Sequence, residues 1–390
     1  MFRQPADSIA TGWIRRAVNG LRTACVIGGL ALALLFGVEF AYRGYEQMFP
    51  PGAGNGQDLV APNTREPWFK GWAPARQQHV FGRNVVSDPY RGWWVQSGRH
   101  DGLLVVEPSG YRHTVQVLAG DPAARRRVYM FGGSTMWGYT ARDPSTIPSF
   151  VAAQLAAAGV HDIEIENKSQ SAYNFTQGLA TLELELRRGA RPAAVVFLDG
   201  VNEVGVVLTG EQPGDIYGQR KWRERFQPMR ANEMLQWLVS RLHVVAALRS
   251  ALSANPELPP VEVAAACRTI ADQYANLVRI GEALGREFGF KIYFFWQPTI
   301  AMSRKALGPW ETKISAEGGE SGRMVEMMRA CATAVEARLA QRVGATFIPL
   351  HSIFDRKQGD VFVDHYGHVI EPANADIAAA ITERLLPVLK

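Results

Sequence analysis

The chain has 390 residues, 47% hydrophobic and 20% charged, which is long enough for one large domain with additions or for two domains. Its formal charge is +5, but residues 1–23 supply +3 of this and no basic stripe follows, so we expect no nucleic-acid partner. Three cysteines cannot form a disulfide framework, and no Cys/His cluster has metal-ligand spacing. We therefore expect neither a metal nor another cofactor.

Residues 1–22 form a polar tail that carries arginines, and the apolar run 23–42 follows it. A helix of about 20 apolar residues spans a bilayer core. The arginines before the run predict a cytoplasmic N-terminus and a single-pass anchor in the cell inner membrane, with the body of the protein periplasmic or extracellular. We favour an uncleaved anchor because no small-x-small cleavage site follows the run. A cleaved signal peptide and a buried soluble helix are the alternatives.

A linker is predicted over residues 43–64, where prolines and glycines cluster. The next segment, 65–120, is rich in aromatic residues and is expected to be an accessory segment packed on the main domain. Its alternative interpretation is a sugar-stacking surface. The segment contains four tryptophans: Trp68, Trp72, Trp93 and Trp94.

Strand-like and helix-like patterns alternate through the main domain, residues 121–390, which predicts a parallel sheet with helices on both faces. A helical insertion is expected at 204–260. Leucines recur along one face of its helix 232–252, and this face would belong to the core, form a lid over the site or rest on the membrane. Cys267 and Cys331 fall in helical patterns and are expected to be small buried residues. The predicted strands are 127–131, 163–166, 193–198, 290–295 and 345–348. The predicted helices are 146–158, 175–188, 233–252, 261–288, 321–342 and 373–389.

Four polar stretches are predicted at or near the carboxyl ends of strands, where α/β proteins hold their reacting groups. In chain order they are Gly132–Thr135, Asn167–Asn174, Asp199–Glu203 and Asp360–His368. These stretches supply the groups that acyl transfer needs. Ser134 would attack as a nucleophile and His368 would act as its base. The backbone amides of Ser134 and Ala172 and the side chain of Asn202 would hold the oxyanion.

The four stretches, in this order, resemble the sequence blocks of the SGNH (GDSL-type) hydrolase superfamily. The motif Phe-Gly-Gly-Ser-Thr around Ser134 is similar to the serine block, and the glycine, asparagine and glutamate at 200–203 are similar to a third block. The resemblance covers about residues 90–390 and extends to membrane-anchored bacterial members. It implies a three-layer, flavodoxin-like α/β fold.

The sequence departs from the family pattern at several positions. Ala172 and Ser169 stand where the family has glycine, and the Ala172 amide keeps its role provided that the residue keeps a negative φ. The usual acid lies three residues before the histidine, where this chain has His365. Asp364, one residue earlier, would reach His368 through a bulge and complete a triad; otherwise a Ser–His dyad would operate. His365 is expected to be a surface residue or to have a supporting role.

The resemblance implies a membrane-anchored serine esterase or O-acyltransferase that acts through an acyl-serine intermediate. Its expected substrate is an acyl ester, with acetyl groups on a cell-surface or secreted polysaccharide as the favoured class. A lipase or thioesterase is one alternative. Another is an inactive carbohydrate-binding or scaffolding component among polysaccharide biosynthesis or export proteins.

Overall fold

A computed structural model of the protein describes residues 18–23, 25–30, 33–40, 62–70, 85–100, 102–220, 262–316 and 320–390. The chain divides into two compact units. One unit comprises residues 1–59 and 225–257, and the other comprises residues 60–224 and 258–390. The predicted helix 232–252, residue Trp72 and most of the predicted linker lie outside the described residues.

Helix α1 of the first unit runs from Val18 to Phe40. Its 23 residues are long and apolar enough to cross a membrane, and large apolar side chains such as Leu30 and Leu34 are exposed along it. The predicted span 23–42 therefore overlaps a helix that has the length and composition of a membrane span. A signal sequence near an N-terminus meets the same criteria.

The second unit contains two antiparallel hairpins ahead of its central sheet. The first pairs β1 (Val85–Asp88) with β2 (Gly92–Val95), and the second pairs β3 (Gly98–His100) with β4 (Leu104–Val106). The rings of Trp93 and Trp94 on β2 pack edge-to-face against those of Tyr173 and Tyr111. The two indoles are thus half-buried by contacts within this unit.

A five-stranded parallel sheet forms the centre of the second unit. Its strands are β5 (Arg126–Gly132), β6 (Ile163–Asn167), β7 (Ala194–Asp199), β8 (Lys291–Trp296) and β9 (Phe347–Pro349). They lie in the order β6-β5-β7-β8-β9, which confirms the predicted parallel sheet. Every residue of β7 is buried because helices cover both faces of the sheet. The order reverses at β5, so the crevice for a ligand is expected at the carboxyl ends of β5 and its neighbours.

Eight α-helices with four or more described residues surround the sheet in the second unit. They are α2 (Ser134–Trp137), α3 (Ile147–Ala157), α4 (Phe175–Arg187), α5 (Val201–Leu208), α6 (Val263–Phe288), α7 (Pro309–Ser315), α8 (Glu320–Arg338) and α9 (Glu371–Leu389). One apolar core joins the sheet to α4, α5, α6 and α8, and a second joins its opposite face to α3 and α9. These two cores give the three-layer architecture expected from the resemblance.

A disulfide joins Cys267 on α6 to Cys331 on α8. The sequence patterns did not predict this pairing. Both side chains are buried in the core between these helices, as expected for each alone. Their pairing across 64 residues of sequence depends on how the two helices pack, which their local patterns do not show.

Candidate active site

Ser134 is the first residue of α2 and directly follows the turn at which β5 ends. Two glycines make this sharp exit possible. A methyl group on Gly132 would clash with the carbonyl oxygen of Leu198, and one on Gly133 would clash with Nδ2 of Asn202. The turn therefore needs residues without a Cβ atom. It leaves Ser134 half-buried at the edge of the sheet.

The side chains of Ser134, His368 and Asp364 form one hydrogen-bonded chain. Oγ of Ser134 lies 2.6 Å from Nε2 of His368, and Nδ1 of His368 lies 2.6 Å from Oδ2 of Asp364. The His368 side chain is only 7% exposed. This is the arrangement of a nucleophile, a general base and an acid that orients the base. His365 is also buried, so its interpretation as a surface residue is wrong.

The four-residue spacing from Asp364 to His368 is accommodated by a tight loop. Phe362 and Val369 pair across the base of the loop, and Gly367 has a φ of 73°, which favours glycine. Oδ1 of Asp364 also accepts a hydrogen bond from the backbone N–H of His368 at 3.3 Å. One carboxylate thus binds both the ring and the backbone of the histidine.

The three predicted oxyanion donors follow three neighbouring strands: Ser134 after β5, Ala172 after β6 and Asn202 after β7. Nδ2 of Asn202 donates to the carbonyl oxygen of Tyr173 at 2.7 Å, and one amide hydrogen remains for a ligand. Within the described part of the chain, the N–H of Ala172 donates to no acceptor. Such donors suit a developing oxyanion.

Ala172 has a φ of 61°, so the condition of a negative φ, on which its predicted role depended, is not met, although within the described residues its N–H is left without an acceptor. Among the described residues it is the only one other than glycine with a positive φ. This conformation costs an L-residue about 1–2 kcal/mol. Backbone strain of this kind is found at functional sites where the surrounding structure enforces it.

Arg112, whose role sequence reasoning missed, is a fully buried cation at the end of the helix that begins with Ser134. Its Nε donates to Asp143 at 2.9 Å, and its two terminal nitrogens donate to the carbonyl oxygens of Trp137, Gly138 and Ala141 at 2.5–3.0 Å. Burial lowers the pKa of Arg112, although Asp143 opposes the shift. The guanidinium therefore fixes the chain that leaves α2.

A buried acidic pair lies below Asn202. The Glu203 carboxylate accepts the backbone N–H groups of Phe175 at 2.6 Å and Gly200 at 2.7 Å. Glu203 thus joins the start of α4 to the start of α5. Burial raises the pKa of Asp199 well above its usual range, and repulsion from Glu203 raises it further. Burial also raises the pKa of Glu203, while its backbone donors oppose that shift.

Two further residues complete the surroundings of the histidine. The ring of Tyr139 stacks on the imidazole of His368, with 4.5 Å between centroids and 25° between planes. Nε2 of Gln297, just after β8, donates to Oγ1 of Thr135 at 3.3 Å and to the carbonyl oxygen of Tyr366 at 3.0 Å. The position of Gln297 directly after a strand could have indicated a site residue, whereas no sequence pattern pointed to Tyr139.

Within the described ranges, no group of three or more His, Cys, Asp or Glu side chains is arranged to hold a metal ion.

No protein-family model and no curated protein matches the sequence. Among solved structures, the chain is similar to a lipase/acylhydrolase from Enterococcus faecalis, at 16% identity and a TM-score of 0.37 over 68% of this chain and 97% of the other. It is also similar to a carbohydrate acetylesterase from Sinorhizobium meliloti, at 14% identity and a TM-score of 0.35 over 68% and 100% of the two chains.

An acetylxylan esterase from Geobacillus stearothermophilus, solved as a catalytic mutant, gives 14% identity and a TM-score of 0.36 over 70% and 96%. Identities and TM-scores this low do not bear on what the present chain acts on. The chain's own architecture is a three-layer α/β fold in which the side chains of Ser134, His368 and Asp364 are joined by hydrogen bonds.

Proposed function

We propose that the protein is a membrane-anchored serine esterase or acyltransferase of the SGNH type. The observation that carries the proposal is the hydrogen-bonded chain from Asp364 through His368 to Ser134, with both distances at 2.6 Å. A serine hydroxyl is a weak nucleophile until a neighbouring base accepts its proton, and here the base is in contact with it.

Acylation begins when Oγ of Ser134 attacks the carbonyl carbon of an ester and Nε2 of His368 accepts the hydroxyl proton. Asp364 stabilises the resulting imidazolium through Nδ1. The negative charge develops on the former carbonyl oxygen, where the N–H groups of Ser134 and Ala172 and the amide of Asn202 bind it. The tetrahedral intermediate then expels the alcohol, which takes the proton from His368, and the acyl group stays on Ser134.

Deacylation repeats these steps with a new hydroxyl compound. His368 removes a proton from the acceptor as it attacks the acyl carbonyl, and it returns that proton to Oγ of Ser134 when the acyl–serine bond breaks. Water as the acceptor makes the protein an esterase. A sugar hydroxyl makes it an O-acyltransferase.

The proposed location is the periplasmic or outer side of the cell inner membrane, with α1 as the anchor. Arginines before the apolar helix support a cytoplasmic N-terminus. The Cys267–Cys331 disulfide gives independent support, because disulfides persist in oxidising compartments and are rare in the cytosol. This location and the family resemblance favour acetyl esters of a cell-surface or secreted polysaccharide, with polysaccharide biosynthesis or export proteins as partners.

Hydrolysis of p-nitrophenyl acetate by the full chain in detergent tests the catalytic proposal. Ser134→Ala should lower the rate by about 10⁴-fold or more. The exposed Ser352 offers a matched control, since Ser352→Ala leaves the site intact. Equal rates for wild type and Ser134→Ala would overturn the proposal.

The length of the acyl chain separates an acetylesterase from a lipase or thioesterase. An acetylesterase should prefer p-nitrophenyl acetate over the octanoate ester, and a lipase should show the reverse. A fluorophosphonate probe, which requires an activated serine, should label Ser134. Absence of labelling in folded protein would favour an inactive carbohydrate-binding or scaffolding role.

Asp364→Asn distinguishes a triad from a dyad. If Asp364 orients His368 as the distances indicate, kcat should fall by about 10⁴-fold with little change in KM. A fall of less than about tenfold would indicate that the Ser–His pair works alone.

A further inference from the structure

The strained residue Ala172 lies in the oxyanion turn, residues 169–173, which follows β6. A positive φ is disfavoured for alanine, so the turn would relax toward a negative φ if its neighbours allowed it. Such relaxation would rotate the peptide groups on either side of Ala172 and would move its N–H. Contacts from outside the turn must therefore enforce its geometry.

Trp93 on β2 contacts the residues on both sides of Ala172. Its indole Nε1 donates to the carbonyl oxygen of Ser171 at 3.3 Å. Its backbone carbonyl accepts a hydrogen bond from the hydroxyl of Tyr173 at 2.5 Å, and the two rings pack edge-to-face with 5.3 Å between centroids. A single residue thus restrains Ala172 from its N-terminal and its C-terminal side.

The hairpin that carries Trp93 is itself tied to the main domain. The carbonyl oxygen of Arg91, between β1 and β2, accepts a hydrogen bond from Nε2 of Gln177 in the first turn of α4 at 2.7 Å. Tyr173 is 1% exposed, so its ring cannot leave Trp93 without opening buried surface. The hairpin therefore provides a fixed support for the oxyanion turn.

We propose that Trp93 is a positioning residue for the oxyanion hole. It holds the Ser171–Tyr173 backbone so that the left-handed Ala172 presents its N–H to the oxyanion. The inference rests on the proposed acyl-transfer function and deepens it. It also gives the aromatic-rich segment a role that involves neither sugar stacking nor direct contact with the substrate.

Trp94, the next residue on the same strand, is a matched control. Its indole Nε1 donates to the carbonyl oxygen of Ser109 at 3.2 Å, and its ring packs edge-to-face on Tyr111 with 4.9 Å between centroids. Like Trp93, Trp94 thus makes one indole hydrogen bond and one edge-to-face contact, but its partners, which include the Arg91 guanidinium stacked 3.6 Å from its ring centroid, lie outside the oxyanion turn. Both indoles are half-buried.

The test introduces Trp93→Phe and Trp94→Phe, each into the wild-type chain and into the Ala172→Gly variant. The kcat and KM for p-nitrophenyl acetate are then measured. Phenylalanine keeps an aromatic ring and removes the indole hydrogen bond. Trp93→Phe should lower kcat about fivefold with little change in KM, the effect of one lost neutral hydrogen bond. In Ala172→Gly the loss should fall below about twofold, because glycine takes a positive φ without strain. Trp94→Phe should change kcat by less than about twofold in both backgrounds.

Equal losses for Trp93→Phe in the two backgrounds, or equal losses for the two tryptophan substitutions, would overturn the inference. The thermal unfolding midpoints of the same variants give a readout that does not need activity. Trp93→Phe should lower the midpoint more in the wild-type chain than in Ala172→Gly. Additive midpoint changes would overturn the inference even if the chain hydrolysed no ester. Failure of the acyl-transfer proposal itself would appear separately, as equal rates for wild type and Ser134→Ala.

Discussion

The nucleophile turn, residues 132–139, and the oxyanion turn, residues 169–173, follow neighbouring parallel strands and end at the same edge of the sheet. In the nucleophile turn, the two residues with a positive φ are both glycines, Gly132 and Gly138. In the oxyanion turn, the residue with a positive φ is Ala172. One turn thus has an unstrained backbone, and the other has a strained one.

The means of support also differ between the two turns. A buried cation, Arg112, binds carbonyl oxygens at the end of the nucleophile turn from inside the domain. The aromatic residue Trp93 contacts the oxyanion turn from an added hairpin. Loss of the buried charge should therefore mainly destabilise the domain, whereas loss of the aromatic support should mainly reduce turnover. The following predictions test that contrast.

Arg112→Met should have the largest effect of these predictions on stability. It leaves Asp143 buried without its cation and removes the donors to three carbonyl oxygens. Breaking a buried ion pair in this way costs about 3–5 kcal/mol. Urea unfolding measures the loss. Arg338, which pairs with Asp272 on the surface, is the control, and Arg338→Met should cost less than about 1 kcal/mol. Similar losses for the two variants would contradict the contrast.

Asn202→Ala should affect catalysis more than stability, since Asn202 serves both turns. Its amide lies against Gly133 and donates to the carbonyl oxygen of Tyr173. Loss of one oxyanion donor should lower kcat by about 10²–10³-fold, equivalent to about 3–4 kcal/mol of barrier. Steady-state kinetics on p-nitrophenyl acetate measures it. The exposed Asn276→Ala should leave kcat unchanged, and an unchanged kcat for Asn202→Ala would exclude that residue as a donor.

Gly138→Ala should destabilise the nucleophile turn. The residue has a φ of 92°, and its new methyl group would lie 2.6 Å from both Nη1 of Arg112 and Cγ2 of Thr146. The conformation should cost about 1–2 kcal/mol and the overpacking about 1–3 kcal/mol more. Gly189 has a φ of 90° with open space around it, so Gly189→Ala should show the conformational cost alone. Chemical denaturation of both variants separates the two contributions.

Asp199→Asn should change how stability depends on pH. Burial raises the pKa of Asp199 in the folded state above its value in the unfolded chain, near 3.8. Between these two pKa values, Asp199 carries a proton in the folded chain but not in the unfolded chain. Stability should therefore decrease as pH rises from the unfolded toward the folded pKa, by at most about 1.4 kcal/mol per pH unit. Asp199→Asn removes this pH-dependent loss, so the variant should become more stable relative to the wild type as pH rises. Parallel pH profiles for the two proteins would be inconsistent with a buried, proton-binding Asp199.

Ala172→Gly should have the smallest effect and the opposite sign to Gly138→Ala. Glycine removes the strain of the left-handed conformation, worth about 1–2 kcal/mol, but the unfolded chain gains about 0.4–1 kcal/mol of flexibility. The free energy of unfolding should therefore rise by about 1 kcal/mol or less. A clear loss of stability in Ala172→Gly would contradict the assignment of backbone strain to Ala172.

Much of the fold could be predicted because strands and helices leave local patterns. The apolar runs at 127–131 and 193–198 became β5 and β7, and the glycines at 132 and 133 marked the turn before Ser134. The predicted contact between Asp364 and His368 is also present, because the loop brings the two side chains together despite their unusual spacing in the sequence. These features depend on residues near one another in the sequence.

The sequence by itself determined the alternation of elements and the chemical groups at the strand ends, because periodicity and strand termini are local properties. Only the tertiary structure decided that Arg112 is desolvated, that Cys267 pairs with Cys331 and that Trp93 supports the turn at Ala172. Each of these depends on segments that are distant in sequence, such as the 64 residues between the paired cysteines. A buried arginine, a paired cysteine and an alanine with positive φ look ordinary in the sequence, since their surroundings are supplied by the folded chain.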